Sequence, residues 1–197
     1  MRYDSEHKAR TRARLLKEAA ATIRAVGPGG VGVAGLMAQA GLTHGGFYAH
    51  FKSKDELIAQ AIDRMFEDSR ALFEACTEGR TPADGLTRYI DAYLSEQHRD
   101  RADRGCPLPC LSGEIAHMPD AARKCFAAGA AGLAAGIAGL LASIGMQNAD
   151  PVAASIMSEL TGAIGLARAI PERARSDMIL EASRDALKAR LGLGSAA

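Results

Sequence analysis

The sequence predicts an all-α protein. Three observations carry this prediction. Apolar residues recur at helical spacing from end to end, convincing strand alternation is found nowhere, and helix punctuation separates the periodic stretches.

The first helix is expected over about residues 5–26, with Leu16, Ala19, Ala20, Ile23 and Val26 inward and its basic residues largely in its first half. Gly27-Pro28-Gly29-Gly30 breaks it. A short helix from Val33 to Ala40 follows, and Gly41 can take the left-handed conformation that ends it. Another runs from about His44 to Phe51, with Thr43 placed as its cap. Ser53-Lys54-Asp55-Glu56 is a capping box that opens a long helix, with Leu57, Ile58, Ala61, Ile62, Met65, Phe66, Leu72 and Phe73 in register.

Thr81-Pro82 makes a cap-plus-first-turn start for a helix carrying Leu86, Tyr89, Ile90, Tyr93 and Leu94. The stretch HRDRADRG, 98–105, reads as a solvated loop. A short helix is expected around Cys106–His117, with Pro107 and Pro109 confining regular structure to its later part. Pro119 then starts an Ala/Gly helix that Gly145 closes, and Pro151 and Pro171 open two final helices, 151–170 and 172–191.

The run 125–144 has no charge over the length of a membrane span, and it contains Gly132-x-x-x-Gly136. Its bulky residues (Phe126, Leu133, Ile137, Leu140, Leu141, Ile144) keep to one side, and nearly all the rest is Ala and Gly. That pattern fits a helix packed inside a protein with close neighbours, so no membrane partner is expected.

Charge divides the chain. Residues 1–54 hold nine Lys/Arg against three acidic residues, net +6, whereas residues 55–197 hold 15 basic and 20 acidic, net −5. A basic end on an acidic body points to one surface for polyanions and another for something else, with the domain division expected at 54/55. The N-terminus lacks the apolar core of a secretory signal. Four cysteines without a Cys-x-x-Cys pair fit free thiols in a reducing cytoplasm.

The most informative segment is Val33–Phe51, VAGLMAQAGLTHGGFYAHF. Leu36, Ala40, Leu42, Phe47 and Phe51 would form the inner face that sets the angle between its two helices. His44, Gly45, Gly46, Tyr48, Ala49 and His50 are left largely outward, a surface of ring donors with little bulk that can enter a major groove and place Tyr and His on phosphates. Lys52 and Lys54 follow, beside a capped helix N-terminus that also attracts phosphate. A helical hairpin with a solvated polar face is the competing account of this segment alone; the adjoining basic helix favours DNA.

Thr11–Asp63 resembles the DNA-binding domain of the tetracycline-repressor (TetR) family of bacterial regulators. The resemblance is carried by Thr11-Arg12, Ala40-Gly41-Leu42-Thr43, Phe47-Tyr48-x-His50-Phe51 and Ser53-Lys54-x-x-Leu57. It implies a ligand-responsive regulator, most simply a repressor released from a pseudo-palindromic double-stranded operator by a small-molecule inducer. It also implies an N-terminal three-helix helix-turn-helix domain, a helical ligand-binding and dimerisation domain, and a homodimer built mostly by the last two helices. By that resemblance Thr43, His44, Gly46, Tyr48, His50 and Lys54 occupy DNA-contacting positions. Two departures stand out: Gly32 replaces the usual hydroxyl cap, and Met37 replaces a small mid-helix residue.

For pairing, Val152, Ile156, Ala163, Ala167 and Ile170 share one side of the first terminal helix, and Leu180, Leu187 and Leu191 one side of the second. Tyr89, Tyr93, Cys110, Met118 and Phe126 are candidates for an inducer pocket, with core packing as the competing account. Gly105–Leu111, GCPLPCL, resembles a Gly-Cys segment seen at this point in some regulators of the family, electrophile-sensing ones among them, which adds Cys106 to that set. Arg101, Arg104 and a helix start would favour the thiolate of Cys106 or Cys110, either of which could then act as a thiol sensor, with small, buried, inert cysteines as the competing account. Zinc on His98, Cys106, Cys110 and His117 fits no standard spacing, and no cofactor is expected. No phosphate loop, serine elbow or HExxH suggests an enzyme. A ligand-free architectural DNA binder is the alternative, which an operator footprint with a silent ligand screen would favour.

Overall fold

Residues 2–193 are described by the structure, a computed structural model, with side chains from Glu6 onward except those of Gln39 and His44. Among them run α1 (Arg2–Val26), α2 (Val33–Gln39), α3 (Lys54–Thr77), α4 (Pro82–Tyr93), α5 (Glu96–Asp100), α6 (Pro107–Leu111), α7 (Asp120–Ser143), α8 (Ala149–Ala169) and α9 (Arg173–Arg190), with short 3-10 turns between. No strand occurs among the described residues.

The central element is α3. Its Ser53 hydroxyl accepts from the Glu56 N–H at 3.1 Å, while Glu56 reaches back to the N–H of Lys52, one residue earlier than in the standard capping box. Leu57, Ala61, Ile62, Met65 and Phe66 are buried along it, whereas Leu72 is 37% exposed. One side of α3 packs on α1 and the other on α4 and α7, so the helix passes through the expected division at 54/55 and joins both halves. In α1 the buried row is Leu15, Ala19, Ala20 and Ile23, with Leu16 only partly covered. Val26 stands over the Gly27–Gly30 turn, 66% exposed.

The Ala/Gly helix α7 is long and apolar enough to cross a membrane, but its bulky residues turn inward. Leu133, Ile137 and Leu141 are buried, and Phe126, Leu140 and Ile144 pack against the same core. The glycines that permit this are Gly129 and Gly136. A Cβ at Gly129 would stand 2.2 Å from the Phe66 ring, and one at Gly136 3.0 Å from Phe73. Gly132, the other member of the expected pair, faces open space.

Two expectations are corrected around residue 100. The 98–105 stretch is not a solvated loop: α5 starts at a Ser95 cap, Arg99 is 5% exposed, and Gly105 is buried. The prolines also begin α6 rather than delaying it, because first-turn residues need no intrahelical N–H partner.

Candidate nucleic-acid interface and sensing core

The reading unit is built on a tight stop. Gly41, at φ +67°, donates to the Ala38 carbonyl at 3.0 Å, and Leu42 donates to Met37 at 2.8 Å, a Schellman closure of α2. His44–Ala49 then forms a 3-10 segment in place of the expected α-helix. Gly45 and Gly46 weaken helix propensity there, and the Thr43 hydroxyl makes no cap bond; its carbonyl accepts from Gly46 instead. Phe47 and Phe51 are buried at 2% and 1% exposure, with their ring centroids 5.6 Å apart. Met37, fully buried, reaches under Gly46, so the bulky departure at that position is absorbed by the glycine.

Above this floor Tyr48 is 68% exposed, its ring standing edge-on to Phe47 at 5.3 Å. Thr43, Lys52 and Lys54 are exposed, and Gly46 is half-buried. The side chain of His44 lies outside the described residues. His50 is half-buried, its Nδ1 enclosed without a hydrogen bond. Its pKa is lowered by burial and then by Lys8, Arg12 and His7, which favours the neutral ring.

Two arginines of α1 serve the fold here. Arg14 donates to the Ala40 carbonyl at 2.6 Å, and Arg12 donates to the His50 carbonyl at 3.3 Å while its guanidinium lies 4.7 Å over Phe51. Lys8, Arg10 and Lys17 are exposed. The α3 N-terminus is less open to phosphate than the sequence suggested. Ser53 and Glu56 already accept from backbone N–H groups there, and Asp55 and Glu56 add negative charge in the first turn.

In the helical body Tyr89, Tyr93 and Cys106 come together in the core, with Cys110 beside them. Phe73, Tyr89, Tyr93 and His98 form an edge-to-face ladder with centroids 5.0, 5.8 and 4.7 Å apart. The enclosed Tyr93 hydroxyl has no hydrogen bond of normal geometry, although Cys106 and Thr161 lie beside it. Phe126 pairs instead with Phe66 at 5.7 Å, and half-buried Met118 packs against the core. The thiolate expectation is corrected. Burial pushes the Cys106 thiol up and Cys110 to about 11, outweighing the nearby arginines.

The sequence reading weighed His98 only as a zinc ligand and missed its place in the core and the arginines around it. Cys106 N–H donates to His98 Nε2 at 3.0 Å, so Nδ1 carries the proton and donates to the Tyr93 carbonyl at 2.7 Å. Burial lowers this imidazole to about 4. Ser95, whose hydroxyl caps the His98 N–H, was the available signal.

The expected pairing residues need correction as well. Ile156, Ala163, Ala167, Leu180, Leu187 and Leu191 are all buried in this chain's own core, and Val152 packs against it. They are covered because α8 lies on α7 and α9 lies on α8. The apolar residues left outward on these helices include Leu166, 58% exposed, and Met178, 56% exposed.

Comparison with known proteins agrees with this architecture. The model for bacterial regulatory proteins of the tetR family matches residues 15–61. The chain superposes on a TetR transcriptional regulator from Chloroflexus aurantiacus with a TM-score of 0.82 at 25% identity, over 95% of this chain and 96% of that one. It superposes on a TetR-family regulator from Cytophaga hutchinsonii with a TM-score of 0.80 at 22% identity, over 93% and 96%. For Escherichia coli NemR in its reduced form the TM-score is 0.79 at 22% identity, over 91% and 96%. No curated protein matches significantly. The helix-turn-helix thus matches the model of the tetR family of bacterial regulatory proteins, and 95% of the chain follows the fold of a solved TetR transcriptional regulator.

Proposed function

We propose that this chain is a cytoplasmic, homodimeric transcriptional repressor that binds a pseudo-palindromic operator through Thr43, His44, Gly46, Tyr48, His50, Lys52 and Lys54. A small molecule taken into the helical body releases it. Residues 1–54 read DNA, and residues 55–197 sense and pair. The observation that carries the reading is the exposed Tyr48 ring, braced on the buried Phe47–Phe51 floor and followed four and six residues on by exposed Lys52 and Lys54. A rigid donor followed along the chain by mobile cations suits a phosphate-lined groove.

Two further features support the rest. Leu166 and Met178 are large apolar side chains exposed on α8 and α9, among exposed small residues such as Ala154, Gly162, Ala174 and Ala182. A second copy related by two-fold symmetry would cover them and would match the symmetry of an operator. The enclosed Tyr93 hydroxyl, which makes no hydrogen bond of normal geometry with neighbouring Cys106 and Thr161, is where a polar group of an inducer would gain one.

Selection of binding sites from a pool of random duplexes tests the proposal, with light scattering of the complex. Enrichment of an inverted repeat whose half-sites lie about 34–36 Å apart, or a multiple of that, bound by two chains, is expected. No enrichment, or one chain per site, would sink it. Small molecules that stabilise the protein should then weaken its hold on the selected duplex.

A further inference from the structure

Arg24 is a buried cation on the last turn of α1, 7% exposed. Its Nε donates to the Gly105 carbonyl at 2.8 Å, and Nη2 donates to the Met65 carbonyl at 3.3 Å and to Asp68 at 2.8 Å. One guanidinium thus joins α1 to α3 and to the chain just before α6. The planar fork is what allows it, since an ammonium on a single stem would not reach these acceptors together. Gly27, three residues on, comes so near Glu114 that a Cβ there would stand 3.1 Å from its carboxylate oxygen.

Gly105 belongs to a segment gripped from the other side as well. The next residue, Cys106, donates to His98. Arg168 of α8 holds the His98 carbonyl at 2.7 Å and the Arg99 carbonyl at 3.1 Å. Arg99 in turn reaches Ser176 and Asp177 of α9. Residues 98–106 therefore lie between the first helix of the DNA-reading half and the two terminal helices. A cleft of about 580 Å³, lined by Lys17, Arg64 and Asp103 among others, opens beside Arg24.

We propose that Arg24 is a positioning residue: it fixes α1, and with it the reading unit, to the 98–106 segment, so that displacing this segment re-aims the unit. Asp68 compensates the charge on α3, so displacing the segment breaks the Nε bond to the Gly105 carbonyl and strands a buried N–H without its acceptor, which makes the contact a joint with closed and open states. The proposal rests on the DNA-binding reading only for the second arm of its test.

Cys106, 5% exposed and adjoining Gly105, reports the state of the joint through its rate of labelling by N-ethylmaleimide. Mass spectrometry reads each site, with Cys76 and Cys125 as controls in the same molecule. Arg24→Gln, and Arg24→Lys which keeps the charge but loses the fork, should speed Cys106 labelling about tenfold or more and leave the controls unchanged. In the second arm, the selected duplex should slow Cys106 labelling in the unaltered protein but not in the variants. An unchanged Cys106 rate in both variants, equal acceleration of all the cysteines, or equal protection by DNA in variant and parent would overturn the proposal. Failure to select any duplex would count against the DNA-binding reading alone and leave the first arm decisive.

Discussion

Acidification should destabilise this protein through His98. The ring is held neutral from both edges, because Nδ1–H donates to the Tyr93 carbonyl while Nε2 accepts from Cys106 N–H. A proton added at Nε2 would face a donor, and Arg168 adds positive charge nearby. The folded pKa is therefore depressed, to about 4, below the 6.5 of a free imidazole. The sign follows: the contribution to stability is complete above pH 6.5 and is lost as pH falls toward 4, because the unfolded chain takes up the proton first. With those two values the loss is about 2 kcal/mol between pH 7.5 and 5, and about 3 kcal/mol once both states are protonated. Urea denaturation at fixed protein concentration, from pH 7.5 to 5, measures it. His98→Gln has no titrating ring, so its stability should fall by about 2 kcal/mol less than the parent's over that range. Parallel pH profiles for variant and parent would refute the reasoning, whatever the variant's absolute stability.

Three other perturbations separate the parts of the molecule. Tyr48→Ala and Lys54→Ala should each weaken binding to the selected duplex by about 1–3 kcal/mol with unchanged melting. Lys54→Ala should also make the logarithmic salt dependence shallower by about one; normal binding by both would mean the reading surface lies elsewhere. Gly129→Ala, which sets a Cβ against Phe66, should cost about 1–3 kcal/mol in thermal unfolding. Gly132→Ala, facing open space, should raise stability by up to about 1 kcal/mol; the same sign for both would refute the close α3–α7 approach as the reason for glycine. Leu166→Glu with Met178→Glu should shift sedimentation from dimer to monomer while helicity is retained, and an unchanged dimer would remove that face from the proposed interface.

The elements were legible in the sequence because their signals are local. The Ser53 cap, the Thr81-Pro82 start and the left-handed Gly41 each act within four residues of the helix ends they define, and the structure shows all three. The helix-turn-helix was legible for the same reason, since its floor of Phe47 and Phe51 and its outward Tyr48 follow from spacing along one short segment. Where spacing was ambiguous, backbone entropy decided, and Gly45-Gly46 gave a 3-10 segment in place of an α-helix.

Only the tertiary structure decided what covers each face. Periodicity marks Ile156 and Ala163 as one apolar side of α8, and Leu180 and Leu187 as one of α9, but not whether those sides meet their own chain or a second copy; here they are buried within the chain, where α8 packs on α7 and α9 on α8. The 98–105 stretch reads as solvent-loving because its charges are counted without their partners. Those partners are distant in sequence: Arg99 meets Ser176 across 77 residues, and Gly105 meets Arg24 across 81. The thiols follow the same rule, since nearby arginines in sequence suggest a low pKa and burial in the folded core imposes a high one. Hydrogen-bond ladders and caps are short-range and can be read along the chain, whereas desolvation and charge pairing depend on which distant residues the fold brings together.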